Sequence, residues 1–430
     1  MPGRDGDTIF ALSSGAPPAG IAVIRISGPQ AGPALEALAR RKPAPRTASL
    51  ALLKDPRDDA PLDRALLLWL PGPATVTGED MAELHCHGGR AVIAAVQDAL
   101  SALPGLRRAD AGEFTRRAFI YGRMDLNAVE GLSDLLAAET QAQRRTALMM
   151  AEGHFSRRID GWRLRLLDLS AMAEAALDFS DEDDVPDAAI EMRIGEGIAT
   201  LAQDVAAILA APSAERLRDG VRVVLAGPPN AGKSTLLNAL VGREAAIVSD
   251  IAGTTRDRIE VPAAIGGTAF LFTDTAGLRD DSQDAIEAIG IDRARAALDA
   301  ADIILWLGEA SDCPRADALT IAAQCDRTDD RRPGLRLSAH TGEGMDALVA
   351  TLQDRASALL PGEGDYALHD RQRRHVVQLR DHLDAAAAAN DLIVIAEDLR
   401  QARRTIDALT GRAGTENMLD RLFSGFCIGK

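Results

Sequence analysis

The 430-residue chain has only four cysteines, Cys86, Cys313, Cys325 and Cys427, far apart and without a CxxC pair. That spacing excludes a disulfide framework and a structural zinc site. No apolar run reaches the roughly 18 residues of a membrane-spanning helix, and the opening MPGRDGDTIF lacks a signal-peptide core. The expectation is a soluble cytoplasmic chain without a membrane partner. Lysine is scarce: of 48 basic residues only Lys42, Lys54, Lys233 and Lys430 are lysines, so each merits inspection. A basic surplus is missing too. The net charge is −16, and residues 1–120, with 14 basic and 13 acidic side chains, are nearly neutral, so the acidity lies in the remainder. Such a chain does not bind phosphate backbones indiscriminately; no DNA partner is expected, and RNA has to be met by a local patch. With 47% hydrophobic residues, the chain is long enough for two or three folded domains.

Residues 1–120 mix strand-like runs, IAVIRIS (21–27) and ALLLWL (65–70), with a helical run at 88–103, as in an α+β module. From Leu126 to Leu209 the pattern is helical, with a stripe of Trp162, Leu166, Leu169, Met172 or Ala173, and Ala176. The carboxylate run Asp181 to Asp184 ahead of Pro186 reads as a solvated turn. At Val221 strands and helices begin to alternate, which implies a parallel sheet. Helical spacing returns after PGEG (361–364), with Leu392, Ile395, Leu399, Ala402, Ile406 and Leu409 on one face. The expected architecture is multidomain, α/β and α+β. An N-terminal domain (1–120) precedes a helical domain in two parts (121–216 and 361–430), and an α/β nucleotide domain (217–360) is inserted between those parts.

GPPNAGKST, Gly227 to Thr235, follows the apolar strand VRVVLA and precedes a helical run. In that context GxxxxGK[ST] is a P-loop: backbone N–H groups of Asn230, Ala231, Gly232 and their neighbours wrap phosphates, Lys233 neutralises the β and γ oxygens, and Ser234 holds Mg²⁺, with Thr235 beside it. Asp274 in DTAG is placed to reach Mg²⁺ through water, and Thr275, Ala276 and Gly277 follow toward the γ-phosphate. SDIAGTTRD supplies Ser249, Asp250, Ile251, Ala252, Gly253, Thr254 and Thr255 as a segment able to close over metal and phosphate. An NKxD guanine motif is eroded: Ala323, Gln324, Cys325 and Asp326 fall on its positions, and only the aspartate is kept. Its carboxylate can accept from guanine N1 and the amino group, a pairing adenine cannot offer. Ser338 and Ala339, in SAHTGEG, occupy the loop that would touch guanine O6.

With GPPNAGKST, GTTRD and DTAGLR in order, the middle of the chain resembles an Era-like GTPase of the translation-factor class. DTIFALSSGAPPAGIAVIRISG, TGEDMAELHCHGG, GEFTRRAFIYGRMDL and the terminal LFSGFCIGK extend the resemblance over essentially the whole chain to the tRNA-modification GTPase family MnmE, or TrmE. The resemblance implies a homodimer working with an FAD-dependent partner, MnmG, in a heterotetramer. It implies a 5-carboxymethylaminomethyl or aminomethyl group placed on the wobble uridine of tRNA, with a 5,10-methylene or 5-formyl tetrahydrofolate as one-carbon carrier. The folate positions of the family fall on Arg25, Glu83, Arg123 and Lys430, with arginine at the third where lysine also occurs. The family's G domains dimerise around potassium. Its ligands would fall on Asn230, Ser249, Ile251 (through its carbonyl) and Thr254, with Thr255 beside Ser234 on Mg²⁺ and Glu287 orienting the attacking water. By its chemistry alone Glu287 reads as a surface carboxylate.

Some features stay open. His85, Cys86 and His87 suggest a metal or a nucleophile, but alternate residues on a strand share a face and no third ligand is evident, so packing is preferred. Cys427 reads as a tail cysteine that helps position Lys430, with direct catalysis as the minority reading. Arg107, Arg108, Arg116 and Arg117 suit either RNA contact or solvated turns. An Era-like GTPase of ribosome assembly would account only for the P-loop domain. A folate-binding scaffold with a vestigial nucleotide site would account for the eroded NKxD but not for Lys233, Ser234, Thr255 and Asp274.

Overall fold

In the N-terminal strands alternate side chains are buried, the signature of a sheet covered on one face. The computed structural model describes residues 6–178, 187–212, 214–243, 260–275, 295–327, 333–362, 364–412, 420 and 422–429. Contacts divide the chain into two units, residues 1–129 with 410–430, and residues 130–409.

In the first unit, β1 (Thr8–Leu12), β2 (Ala19–Ser27), β3 (Ser49–Lys54), β4 (Pro61–Leu70), β5 (Met81–Gly88) and β6 (Leu106–Arg108) form a sheet of order β3-β4-β5-β2-β1-β6. Every pairing is antiparallel except β1 with β6. Helices α1 (Ala31–Ala39) and α2 (Arg90–Ser101) cover one face, burying Ile24, Ile26, Leu67 and Leu84 against Leu35 and Val96. Each such side chain contributes roughly 1.5–3 kcal/mol of burial free energy. The opposite face keeps Ile21, Leu50, Leu52 and Leu66 exposed. Helix α3 (Glu113–Ile120) follows β6. The chain end lies with this unit: Ser13 Oγ donates to the Gly429 carbonyl at 2.8 Å, and Ala111 bridges Ile428. Gly429 has φ 96, and a side chain there would meet the Leu12 carbonyl at 2.1 Å, which is why glycine stands before the last residue.

Helix α4 (Leu126–Ala137) leads into the second unit, which holds α5 (Gln141–Ala151), α6 (His154–Asp178), α7 (Asp187–Leu209) and α8 (Ala214–Asp219) before the α/β domain, and α12 (Asp370–Ala388) and α13 (Leu392–Thr410) after it. The expected stripe on α6 is buried, with Ala173 rather than Met172 innermost; Leu399, Ala402, Ile406 and Leu409 of α13 join the same core. Helices on both sides of the α/β domain therefore share one core, and the domain is an insertion in it. One stretch, Ala189–Asp219, corrects the expectation drawn from apolar runs: it contains an 18-residue window of mean hydropathy 1.3, long and apolar enough by composition to cross a membrane. Its buried face, Ile194, Ile198, Leu201 and Val205, steps by four, three and four into the helical core.

The inserted domain is a sheet of order β12-β11-β10-β7-β9-β8, built from β7 (Val221–Ala226), β8 (Glu260–Ile265), β9 (Thr268–Asp274), β10 (Ile303–Trp306), β11 (Leu319–Ala322) and β12 (Leu335–Arg336). It is parallel except for the edge hairpin β8–β9. Helices α9 (Lys233–Arg243), α10 (described over 295–300) and α11 (Met345–Ser357) accompany it.

Candidate nucleotide site and N-terminal ligand face

Strand β7 lies between β10 and β9, and all its side chains but Arg222 are buried, so the loop after Ala226 opens at the carboxyl edge of a parallel sheet, where such folds bind ligands. Gly227 has φ 147 and sits so close to Leu307 that a side chain would meet its backbone at 3.1 Å. Asn230 holds a left-handed φ of 61, which asparagine tolerates better than most residues. Lys233 opens α9 and is 5% exposed. Its Nζ donates to the carbonyls of Gly227 (3.0 Å) and Pro228 (2.9 Å), so the ammonium is folded into the loop beside the positive end of α9. The register pairs Leu225 with Asp274, which brings the end of β9 to the loop. There the Ser234 hydroxyl donates to the Asp274 carboxylate, and Thr275 Oγ1 donates to the Leu225 carbonyl at 2.9 Å. Ser234 and Asp274 thus supply two hard oxygen donors side by side, a set that fits Mg²⁺.

Just after β11, at the same carboxyl edge of the sheet, Gln324 has φ 61, and its Nε2 lies 3.4 Å from where a side chain on Gly232 would begin. The residue in the lysine position of NKxD therefore lies against the P-loop. Asp326 receives the hydroxyl of Ser338, which outweighs desolvation and holds its carboxyl below the usual range. Ser338 is fully buried, and its Oγ accepts from the backbone N–H of His340 (3.3 Å) and Thr341 (3.2 Å). Ser338 was expected to serve guanine through the backbone of its loop; its side chain also fixes the carboxylate. Of the remaining expected nucleotide residues, Ala231, Thr235 and Ala339 lie on the P-loop, on α9 and beside Ser338. Ser249, Asp250, Ile251, Ala252, Gly253, Thr254, Thr255, Ala276, Gly277 and Glu287 lie outside the described residues, as do Asp181 to Asp184 and Lys430.

Among solved structures, the G domain of the T. maritima FeoB iron transporter aligns over 32% of this chain and 98% of its own, at 23% identity and a TM-score of 0.23. Residues 8–123 match the family model for the GTP-binding protein TrmE N-terminus, and residues 126–427 match that for the MnmE helical domain. The tRNA modification GTPase MnmE of Rhizorhabdus wittichii is 61% identical over 428 residues, 99% of this chain and 97% of its own. That of Novosphingobium aromaticivorans is 58% identical over 435 residues, 99% of this chain and 100% of its own. The chain belongs to the MnmE family of tRNA modification GTPases.

The N-terminal unit carries three described candidate folate residues on or beside the open sheet face. Arg25 on β2 and Glu83 on β5 are directly paired in register, and Arg25 Nε and Nη2 donate to Glu83 Oε1 at 3.1 and 3.0 Å. His85, next on that face, lies 3.1 Å from Glu83 Oε2. Arg123 Nε donates to the Thr75 carbonyl at 3.2 Å. A cation and a carboxylate, 25% and 15% exposed, suit the mixed donors and acceptors of a pterin and the carboxylates of its tail. The chain end is tied to Ser13, whose N–H donates to the Val23 carbonyl at 2.7 Å, two residues from Arg25.

Other candidates resolve differently. Cys86 is buried, and burial followed by the Asp63 charge pushes its thiol up to about 12, so it is no nucleophile at neutral pH. His87 Nδ1 pairs with Asp63 at 2.7 Å. Cys427 is exposed. Arg107 and Arg117 both bond carboxylates of their own unit. Arg107 bonds Asp7 and Glu113, and Arg117 bonds Asp7, Glu79 and Glu113. Arg116 pairs with Asp420 and Arg108 with Asp98. Asp7 lies about a hundred residues away in sequence, beyond the reach of local pattern reading.

Proposed function

We propose that this chain hydrolyses GTP to drive the modification of tRNA at the wobble uridine in the cytoplasm. The observation that carries this is the meeting of Lys233, Ser234 and Asp274 at one end of a parallel sheet, with Asp326 held by Ser338 nearby, in a chain matched nearly end to end by the family. Lys233 would neutralise the β and γ oxygens, Ser234 and Thr255 would hold Mg²⁺, and Asp274 would reach it through water. The guanine edge falls to Asp326, with Ala339 beside it. Potassium would be held by Asn230, Ser249, Ile251 and Thr254 where two G domains meet, and Glu287 would orient the attacking water.

In the N-terminal unit, Arg25, Glu83, Arg123 and Lys430 would hold a tetrahydrofolate, which when bound supplies the one-carbon unit. The exposed apolar face of Ile21, Leu50, Leu52 and Leu66 supports pairing of two copies. An FAD-dependent partner, MnmG, completes the reading. The ribosome-assembly alternative leaves residues 8–123 without a role.

The test is GTP hydrolysis by the full chain in potassium and in sodium, with ATP as competitor. Potassium-dependent GTP turnover is expected. Equal rates in the two salts would overturn the potassium ligands, and preference for ATP would overturn the guanine assignment.

A further inference from the structure

Glu79, in the segment between β4 and β5, bonds none of the three described candidate folate residues, Arg25, Glu83 and Arg123, yet its bonds tie together the pieces that carry them. Its carboxylate receives Arg117 Nη1 at 3.1 and 3.0 Å and the Ser27 hydroxyl at 2.7 Å. Ser27 stands two residues after Arg25 on β2, hence on the same face about 7 Å along the strand. The Ser27 hydroxyl also meets that of Thr77 at 2.7 Å, and both residues are fully buried. Since Ser27 donates to Glu79, Thr77 donates to Ser27, and the chain of hydroxyls has one direction.

The same residue closes its own loop. The Thr75 hydroxyl donates to the Glu79 carbonyl at 2.6 Å and accepts from the Gly78 N–H at 3.0 Å, which leaves the Thr75 carbonyl turned to Arg123 Nε. Gly78, with φ 85, lies under Arg123: a side chain there would meet Arg123 Cγ at 3.4 Å and Tyr121 Cβ at 2.9 Å. The loop that seats Arg123 is thus pinned to the strand that carries Arg25, and the pin is a carboxylate 12% exposed against an arginine 9% exposed.

We infer that Glu79 is a positioning residue for the folate site, holding the 75–79 loop so that Arg123 is set at a fixed distance from the Arg25–Glu83 pair. This rests on the folate reading above. A guanidinium on a four-bond stem gains affinity for a carboxylate only if its direction is set before binding, and here the Thr75 carbonyl sets it.

The experiment is titration of the full-length protein with 5-formyltetrahydrofolate, alongside GTP turnover and thermal melting, for wild type, Glu79→Gln, Glu79→Ala, Arg123→Ala and the double variant Glu79→Gln/Arg123→Ala. Glu79→Gln should weaken folate binding about tenfold, with GTP turnover unchanged. In the Arg123→Ala background it should add little, because a residue that acts through Arg123 has nothing left to position. Wild-type affinity in Glu79→Gln, or a loss that adds in full to that of Arg123→Ala, would overturn the inference alone. A wild type that hydrolyses GTP but does not bind the folate would overturn the folate reading and this inference with it. Should Glu79→Ala melt early, Glu79→Gln, which keeps the size and one acceptor oxygen, carries the test.

Discussion

In the proposed nucleotide site, purine recognition would rest on one carboxylate, Asp326. The asparagine and lysine of NKxD are replaced by Ala323 and Gln324, so on the proposed reading discrimination between purines would fall on Asp326, which the Ser338 hydroxyl holds. Asp326→Asn, which offers guanine N1 a poorer acceptor, is expected to cut the preference for GTP over ATP by about tenfold or more, measured by competition binding. A second residue-scale consequence concerns pH. Burial presses the His369 imidazole down, but its 2.7 Å bond to Asp134 and the charge of that carboxylate more than offset this, so it titrates above its ordinary 6.5. A raised folded-state value means that the pair contributes its full stability below pH 6.5 and loses it as pH rises through the folded value. The melting temperature of wild type minus that of Asp134→Asn should therefore be largest in mild acid and shrink on going alkaline; a difference independent of pH would refute the linkage.

At the scale of elements, α8 is the short joint between the helical core and β7. Its carbonyl end is held by Gln143 of α5, whose Nε2 donates to Leu217 (3.0 Å) and Arg218 (3.1 Å) while its Oε1 accepts the N–H groups of Glu139 and Thr140, both at 2.8 Å. On its other side Arg216 bonds Asp302, just before β10, at 2.6 Å. One buried amide therefore caps the start of α5 and the end of α8 together. Gln143→Ala should cost about 1–3 kcal/mol, since it leaves four backbone groups without this partner; chemical denaturation measures it. The capping box TQAQ is visible in sequence as Thr140 with Gln143, a local pattern. That the same glutamine reaches α8 is not visible there, because the two lie 74 residues apart.

For the molecule as a whole, the open face of the first sheet sets the expectation of assembly. Leu50 and Leu66 are cross-strand neighbours, 56% and 37% exposed, and Leu66 is opposite His85. Leu50→Asp with Leu66→Asp should leave the fold of the single chain unchanged, as neither side chain is in its core, and convert a dimer to a monomer in sedimentation; an unchanged mass would move the interface elsewhere. The sequence indicated the inserted α/β domain and the shared helical core because three- and four-residue steps on Trp162, Leu166, Leu399 and Ile406 record which face each helix buries.

The P-loop, the strand before it, the helical stripes and the family itself were determined by sequence alone, since each rests on residues close together along the chain. Tertiary structure decided the rest. The Ser234–Asp274 contact follows from which strands of the parallel sheet are neighbours, and the Arg25–Glu83 pair from antiparallel register. The ion-pair network of Arg107 and Arg117 exists because Asp7, near the start of the described residues, folds back on them. Local periodicity reports the face a residue turns inward; only closure of the sheets determines which distant charge it meets there.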